Sequence, residues 1–123
     1  MATIPDFWGE IAPAEVRTPA AILREQAAAL GPKTRNLIEA QVVTHASQSG
    51  DIVHNFNLVV PALDDYTYQL FRIRHAAADL YPVTVADGVV LRNEDAFVAW
   101  LPERLSSDKT KRIIGNLLAQ VNR

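Results

Sequence analysis

The spacing of apolar residues changes twice along the chain, and this limits the fold more than any other feature of the sequence. In the middle of the chain the spacing has a period of two, in three strand-like runs at 37–46, 52–62 and 66–75. Residues 19–30 and 93–121 instead carry apolar stripes at helical spacing. Because strands and helices do not alternate, a parallel sheet with crossover helices is not predicted.

Three polar pairs are predicted to be turns between strands. Ser49-Gly50 and Asp64-Asp65 separate the three runs, and we interpret each as a two-residue turn. Asp87-Gly88 is the strongest hairpin signal, and it lies between two further runs at 80–86 and 89–92. The sequence therefore predicts an antiparallel meander of four or five strands.

The helix before these strands is bounded by a cap and a stop signal. Thr18 can cap its first turn, and Pro19 suits the first helical position, where a missing N–H costs nothing. Gly31-Pro32 is typical of a helix end. These signals predict a helix from Pro19 to Leu30.

Two more helices are predicted after the strands. Asn93, followed by two acidic residues, is typical of a helix start, and Ser107 is predicted to cap the last helix. Pro102 lies between them and predicts a kink or a break, because proline removes a helical hydrogen bond. The predicted fold is one α+β domain over residues 1–123, with an antiparallel meander sheet of four or five strands covered by an N-terminal helix and two C-terminal helices.

Composition narrows the location and the ligand classes. The absence of cysteine excludes disulfides and thiolate metal sites and favours a reducing compartment. No run approaches the about 18 apolar residues of a membrane span, and the first residues lack the pattern of a secretory signal. A net charge of −2 supplies no overall field that would attract nucleic acid or anionic lipid. We expect a cytoplasmic protein.

Five segments of the chain carry a resemblance to known sequences, at residues 18–34, 65–75, 79–83, 93–97 and 106–120. In these segments, which include the string DYTYQLFRIRH, the chain resembles small uncharacterised bacterial α+β proteins with the same segment order. The resemblance implies a bacterial origin and a stand-alone domain. It brings no catalytic motif.

The three histidines, His45, His54 and His75, fall one to each of the first three strands. If both turns have two residues, all three lie in one row on one sheet face, about 4.8 Å apart from strand to strand. Three histidines and a water form a catalytic zinc site in known enzymes. The alternative is hydrogen bonding at the end of the core, on a face with Val43, Phe56, Leu58, Val60, Phe71 and Ile73.

The opposite sheet face is predicted to mix polar, aromatic and basic side chains. Under the same registers it carries Thr44, Asn55, Asn57, Tyr66, Tyr68, Leu70, Arg72 and Arg74. Tyrosine beside arginine and asparagine is typical of protein interfaces, and also of sheet platforms that stack nucleic-acid bases. The acidic balance of the chain favours a protein partner or a homo-oligomer as the ligand of this face.

Two smaller features also point toward partners. Phe7 and Trp8 are predicted to form an apolar anchor that ties the N-terminal segment to the domain or to a second subunit. Lys109, Lys111 and Arg112 form a basic cluster early in the last helix, where cations oppose the helix dipole. The cluster indicates an acidic partner or an ordinary solvated surface.

No known catalytic motif is present, which favours binding over catalysis. The sequence has no phosphate-binding glycine loop, Gly-x-Ser-x-Gly elbow, His-Glu-x-x-His pair or dinucleotide fingerprint. The favoured function is a non-enzymatic binding or regulatory domain acting through self-association or a protein partner, and an immunity or antitoxin-like role suits its size. The alternatives are a small metal-dependent hydrolase that uses zinc on the three histidines, and a sheet-platform nucleic-acid binder.

Overall fold

The computed structural model describes residues 5–121 and gives the predicted order of elements. The helices are α1 (Pro19–Lys33), α2 (Glu94–Leu105) and α3 (Asp108–Val121), and the strands are β1 (Glu39–Ala46), β2 (Asp51–Val60), β3 (Tyr66–Ala76), β4 (Val83–Val85) and β5 (Val90–Leu91). The five strands form one antiparallel sheet in the order β1-β2-β3-β4-β5. The predicted α+β class and the meander topology are confirmed.

The predicted helix caps are also confirmed. Thr18 Oγ1 accepts a hydrogen bond from the Ala21 N–H at 3.0 Å, which satisfies one of the free donors of the first turn of α1. Asn93 does the same at the start of α2 at 2.8 Å, and Ser107 at the start of α3 at 3.1 Å. These local signals are sufficient to set where each helix begins.

Neither internal proline ends its helix: the predicted end of α1 at Leu30 is wrong, and of the two outcomes predicted for Pro102, a kink or a break, the break is wrong. Helix α1 continues through Gly31-Pro32 to Lys33 and closes where the Thr34 N–H donates to the Gly31 carbonyl at 3.1 Å. Helix α2 continues through Pro102 to Leu105. Each proline lies within the last four residues of its helix. A proline removes one helical hydrogen bond, and so near the end of a helix few later hydrogen bonds are disturbed by it.

The turns around β2 are longer than predicted. The connection from β1 to β2 spans 47–50, and the one from β2 to β3 contains a 3-10 turn at Pro61–Leu63 followed by Asp64 and Asp65, both with positive φ. A bulge also shifts the pairing of β2 with β3 at Phe56/Asn57. These irregularities change which side chains share a face of the sheet.

All three helices pack on the same face of the sheet. Ile22 and Leu23 of α1 and Phe97 and Leu101 of α2 form one buried cluster with the β2 and β3 side chains Phe56, Phe71 and Ile73. Leu117 of α3 packs in a second cluster with Ile38, Leu58 and Val60. We call this the helix-covered face. Among residues 5–121, no helix has the length and apolar character needed to cross a membrane.

Candidate functional site

The predicted row of three histidines is wrong, because the first turn shifts the register by one residue. His45 pairs with Val53, and Thr44 is the residue opposite His54. A slip of one residue moves a side chain to the other face of a sheet, so His45 lies on the face away from the helices. His54 and His75 stay together on the helix-covered face. Within residues 5–121, no group of three or more His, Asp or Glu side chains is placed to hold a metal ion.

His54 and His75 form a buried hydrogen-bonded pair. Their Nε2 atoms lie 3.0 Å apart, and their residues are only 3 % and 7 % exposed. His75 Nδ1 lies 2.9 Å from the Ala76 carbonyl oxygen, so this nitrogen carries the proton and its Nε2 accepts. His54 therefore donates through Nε2, and its Nδ1 accepts from the Thr44 hydroxyl at 2.8 Å. Both rings are satisfied when both are neutral.

Burial lowers the pKa of His54 from 6.5 to about 4, with smaller contributions from His75, Arg24 and His45. Protonating His54 would also place a donor on Nδ1 against the Thr44 hydroxyl, which would then have to turn its own hydrogen away. His54 is thus a neutral side chain of the core at pH 7. The pair of His54 and His75 falls one ligand short of the predicted three-histidine zinc site.

The predicted polar-aromatic face is divided between the two faces of the sheet. Asn55, Asn57, Arg72 and Arg74 lie on the face away from the helices, as their register requires. Tyr66 pairs with Val60 and Tyr68 with Leu58, and both of these partners belong to the buried cluster under α3. The bulge beside Asn57 is the reason, since the extra β3 residue reverses the alternation between the two halves of the strand.

The arginines of the outer face are held by neighbouring strands. Arg72 Nε donates to Asn55 Oδ1 at 2.8 Å, and Arg74 forms an ion pair with Asp51 at 3.3 Å. Their hydrogen-bonding groups are therefore partly satisfied within the sheet. Without Tyr66 and Tyr68 beside them, these residues do not make up the mixed polar, aromatic and basic face that the sequence predicts.

A groove lies between α1, the sheet and the α2–α3 pair. Its volume is about 630 Å³, which lies within the range of ligand pockets, about 300–1,000 Å³. Its apolar lining consists of Ile22, Ala29 and Leu30 from α1, Phe56, Leu58 and Leu70 from the sheet, and Val98, Leu101, Leu105, Ile114 and Leu118 from α2 and α3.

The groove is positively charged at its rim. Arg17, Lys33 and Lys111 line it, and the described lining residues include no Asp or Glu. Arg17 is anchored there, because its side chain pairs with Glu25 and its carbonyl accepts a hydrogen bond from the Tyr81 hydroxyl at 3.0 Å. Neither lysine is in any of the ion pairs found among residues 5–121. An apolar ligand with negative charge would match this surface.

Two sequence signals could have indicated this groove. The apolar face of α3 is broad, yet only Leu117 and Thr110 of that helix are buried. Ile114 and Leu118 are left to line the groove. Lys111 belongs to the basic cluster for which an acidic partner and an ordinary solvated surface were the two alternatives, and the structure places it at the rim. The packing of α1 opposite α3 is a tertiary feature that no local pattern encodes.

Comparisons of this chain with protein-family models, with curated proteins and with solved structures give no match. The resemblance to small bacterial α+β proteins stays a prediction, and the function is argued from the groove itself.

Proposed function

We propose that the protein is a non-enzymatic binding domain that holds an apolar, acidic segment of a protein partner in the groove between α1 and the α2–α3 pair. The observation that carries this proposal is the combination of an apolar lining with cationic side chains at the rim. An immunity or antitoxin-like role, in which the domain masks its partner, suits a chain of 123 residues.

The apolar lining supports binding because it offers a place to bury large side chains. A buried aromatic side chain covers about 150–250 Å², worth about 4–6 kcal/mol at 25 cal/mol per Å² before the ordering cost is subtracted. One or two such side chains are enough to anchor a segment that otherwise makes few contacts. Val98 lines the groove and is 42 % exposed, so it would become more buried when a ligand fills the groove.

The cationic rim supports a preference for acidic partners. Lys33 and Lys111 are exposed, so each contributes little to affinity in physiological salt. Exposed charges act mainly on the association rate and on the choice of partner. Binding of the acidic segment should weaken with added salt, and a basic segment should bind more weakly than an acidic one.

The proposal is tested with a pair of dyes that differ in charge. The anionic dye 8-anilinonaphthalene-1-sulfonate and the neutral dye N-phenyl-1-naphthylamine should both bind the folded protein and fluoresce in the groove. Leu118→Glu is expected to lower the affinity for both dyes at least about tenfold, because it introduces a carboxylate into the apolar lining. Lys111→Glu should lower the affinity for the anionic dye alone.

Val43→Glu is the matched control, since Val43 is 45 % exposed and pairs with Asn55 on the outer face. Circular dichroism establishes that each variant is folded. Dye affinities that are equal in the wild-type protein and in a folded Leu118→Glu variant would show that the groove is not the binding site.

A further inference from the structure

The segment before α1 exposes large apolar side chains. We call residues 5–17 the arm; they form neither helix nor strand. Phe7 is 82 % exposed, Trp8 81 % and Ile11 75 %. Single exposed apolar residues are common on proteins, but two adjacent aromatic rings this exposed are typical of a segment that binds another surface.

The arm is also acidic. Asp6, Glu10 and Glu15 are spread between its apolar side chains, and no cation lies between Asp6 and Arg17. The arm therefore has the two properties that the groove selects, which are large apolar side chains and negative charge. One chain carries both halves of a complementary pair.

We propose that the arm of one copy occupies the groove of a second copy, and that the exchange is reciprocal. This inference rests on the proposed function and names the partner as the same chain. Phe7 and Trp8 fill the apolar lining, and the carboxylates beside them face Lys33 and Lys111. A two-fold axis then relates two identical contacts, as in most homodimers.

The arm leaves its own groove open. Within its described part, only Arg17, where the arm meets α1, lines the groove. The rings of Phe7 and Trp8 remain in solvent. In a single chain, therefore, both the groove and the apolar side chains of the arm stay uncovered. Exchange between two copies covers both surfaces while the folded domain itself stays unchanged.

The area available agrees with a stable dimer. Two arms with two aromatic rings each would bury about 600–1,000 Å² of arm surface and a similar area of groove surface. The sum is close to the about 1,200–2,000 Å² that specific interfaces bury. Ile11 adds further apolar area to each contact.

The test is the oligomeric state of the full chain, measured by native mass spectrometry and by light scattering over a range of concentrations. We expect a species of twice the chain mass of 13.6 kDa. Trp8→Ser in the arm and Leu118→Glu in the groove should each raise the dimer dissociation constant at least about 100-fold, because each removes both symmetric contacts. Val90→Ser, at a valine that is 50 % exposed on β5, is the control and should stay dimeric.

Mixing the two variants gives the decisive result. Trp8→Ser keeps an intact groove and Leu118→Glu keeps an intact arm, so the mixture should form a 1:1 heterodimer through one remaining contact. A wild-type chain that stays monomeric, or a Trp8→Ser variant that dimerises normally, would overturn the inference. In a dimer the arms compete with the dyes for the grooves, so dye binding is compared in the Trp8→Ser variant with and without Leu118→Glu. Loss of dye binding with Leu118→Glu shows that the groove binds whether or not the arms exchange, so failure of the exchange is distinguished from failure of the proposed function.

Discussion

Replacing Phe97 by alanine is expected to lower the free energy of unfolding by about 3–5 kcal/mol, the usual cost of removing a buried phenylalanine side chain. Phe97 is fully buried. Its ring stacks on Trp100 with the centroids 6.1 Å apart and lies 6.4 Å from the ring of Tyr81. The residues around it are held by other contacts and can close the cavity only in part.

Urea unfolding followed by circular dichroism measures the effect. Val98→Ala is the matched control, because Val98 follows Phe97 in α2 and is 42 % exposed. The control should cost less than about 1 kcal/mol. If Phe97→Ala lost no more stability than Val98→Ala, α2 would not pack on the sheet in the way described.

The positions of the helices could be predicted from the sequence because the signals that set them are local. Thr18, Asn93 and Ser107 each bond to a backbone N–H three residues ahead, and a pattern in the sequence contains both partners. The strands followed from the period of two in the same way. Their order followed from the short connections, which favour neighbouring antiparallel strands.

The faces of the sheet could be predicted only in part. Phe56, Leu58, Val60, Phe71 and Ile73 lie on the helix-covered face as expected, but the faces of β1 and of the first half of β3 depend on turn lengths and on one bulge. An error of one residue in the first turn was enough to separate His45 from His54. The bulge at Phe56/Asn57 then moved Tyr66 and Tyr68 to the helix-covered face. Local sequence patterns constrain neither feature strongly, since the first depends on how β1 pairs with β2 and the second on how β2 pairs with β3.

The groove depends on the relative placement of three helices, so the sequence showed only its separate parts. The sequence predicts that Phe7 and Trp8 form an anchor, and it leaves open whether the cluster that contains Lys111 faces an acidic partner or is an ordinary solvated surface. In the structure Lys111 lines the rim of the groove and the two rings are exposed. Helix α3 leaves part of its apolar face open, and the proposed exchange would bring these residues together there.

Lowering the pH from 7 to 4 is expected to remove about 2–3 kcal/mol of stability through His54 alone. Its pKa is about 4 in the folded chain against 6.5 when unfolded, so between these values the unfolded chain binds more protons. Stability is therefore fully present above pH 6.5 and is lost as the pH falls toward 4. Below that value this contribution no longer changes.

The measurement is the free energy of unfolding in urea at several pH values between 4 and 7.5, for the wild-type protein and for His54→Leu. Carboxylates also titrate near pH 4, so the difference between the two proteins isolates the histidine. His54→Leu should show the smaller loss of stability on acidification, although its breaking of the contact with His75 lowers stability at pH 7. His45→Leu is the comparison variant: His45 is exposed on the outer face and supplies only a small part of the lowered pKa of His54, so this variant should stay closer to the wild-type curve than His54→Leu does. Parallel curves for the wild-type protein and His54→Leu would mean that His54 titrates normally, which is not expected of a histidine buried on the helix-covered face.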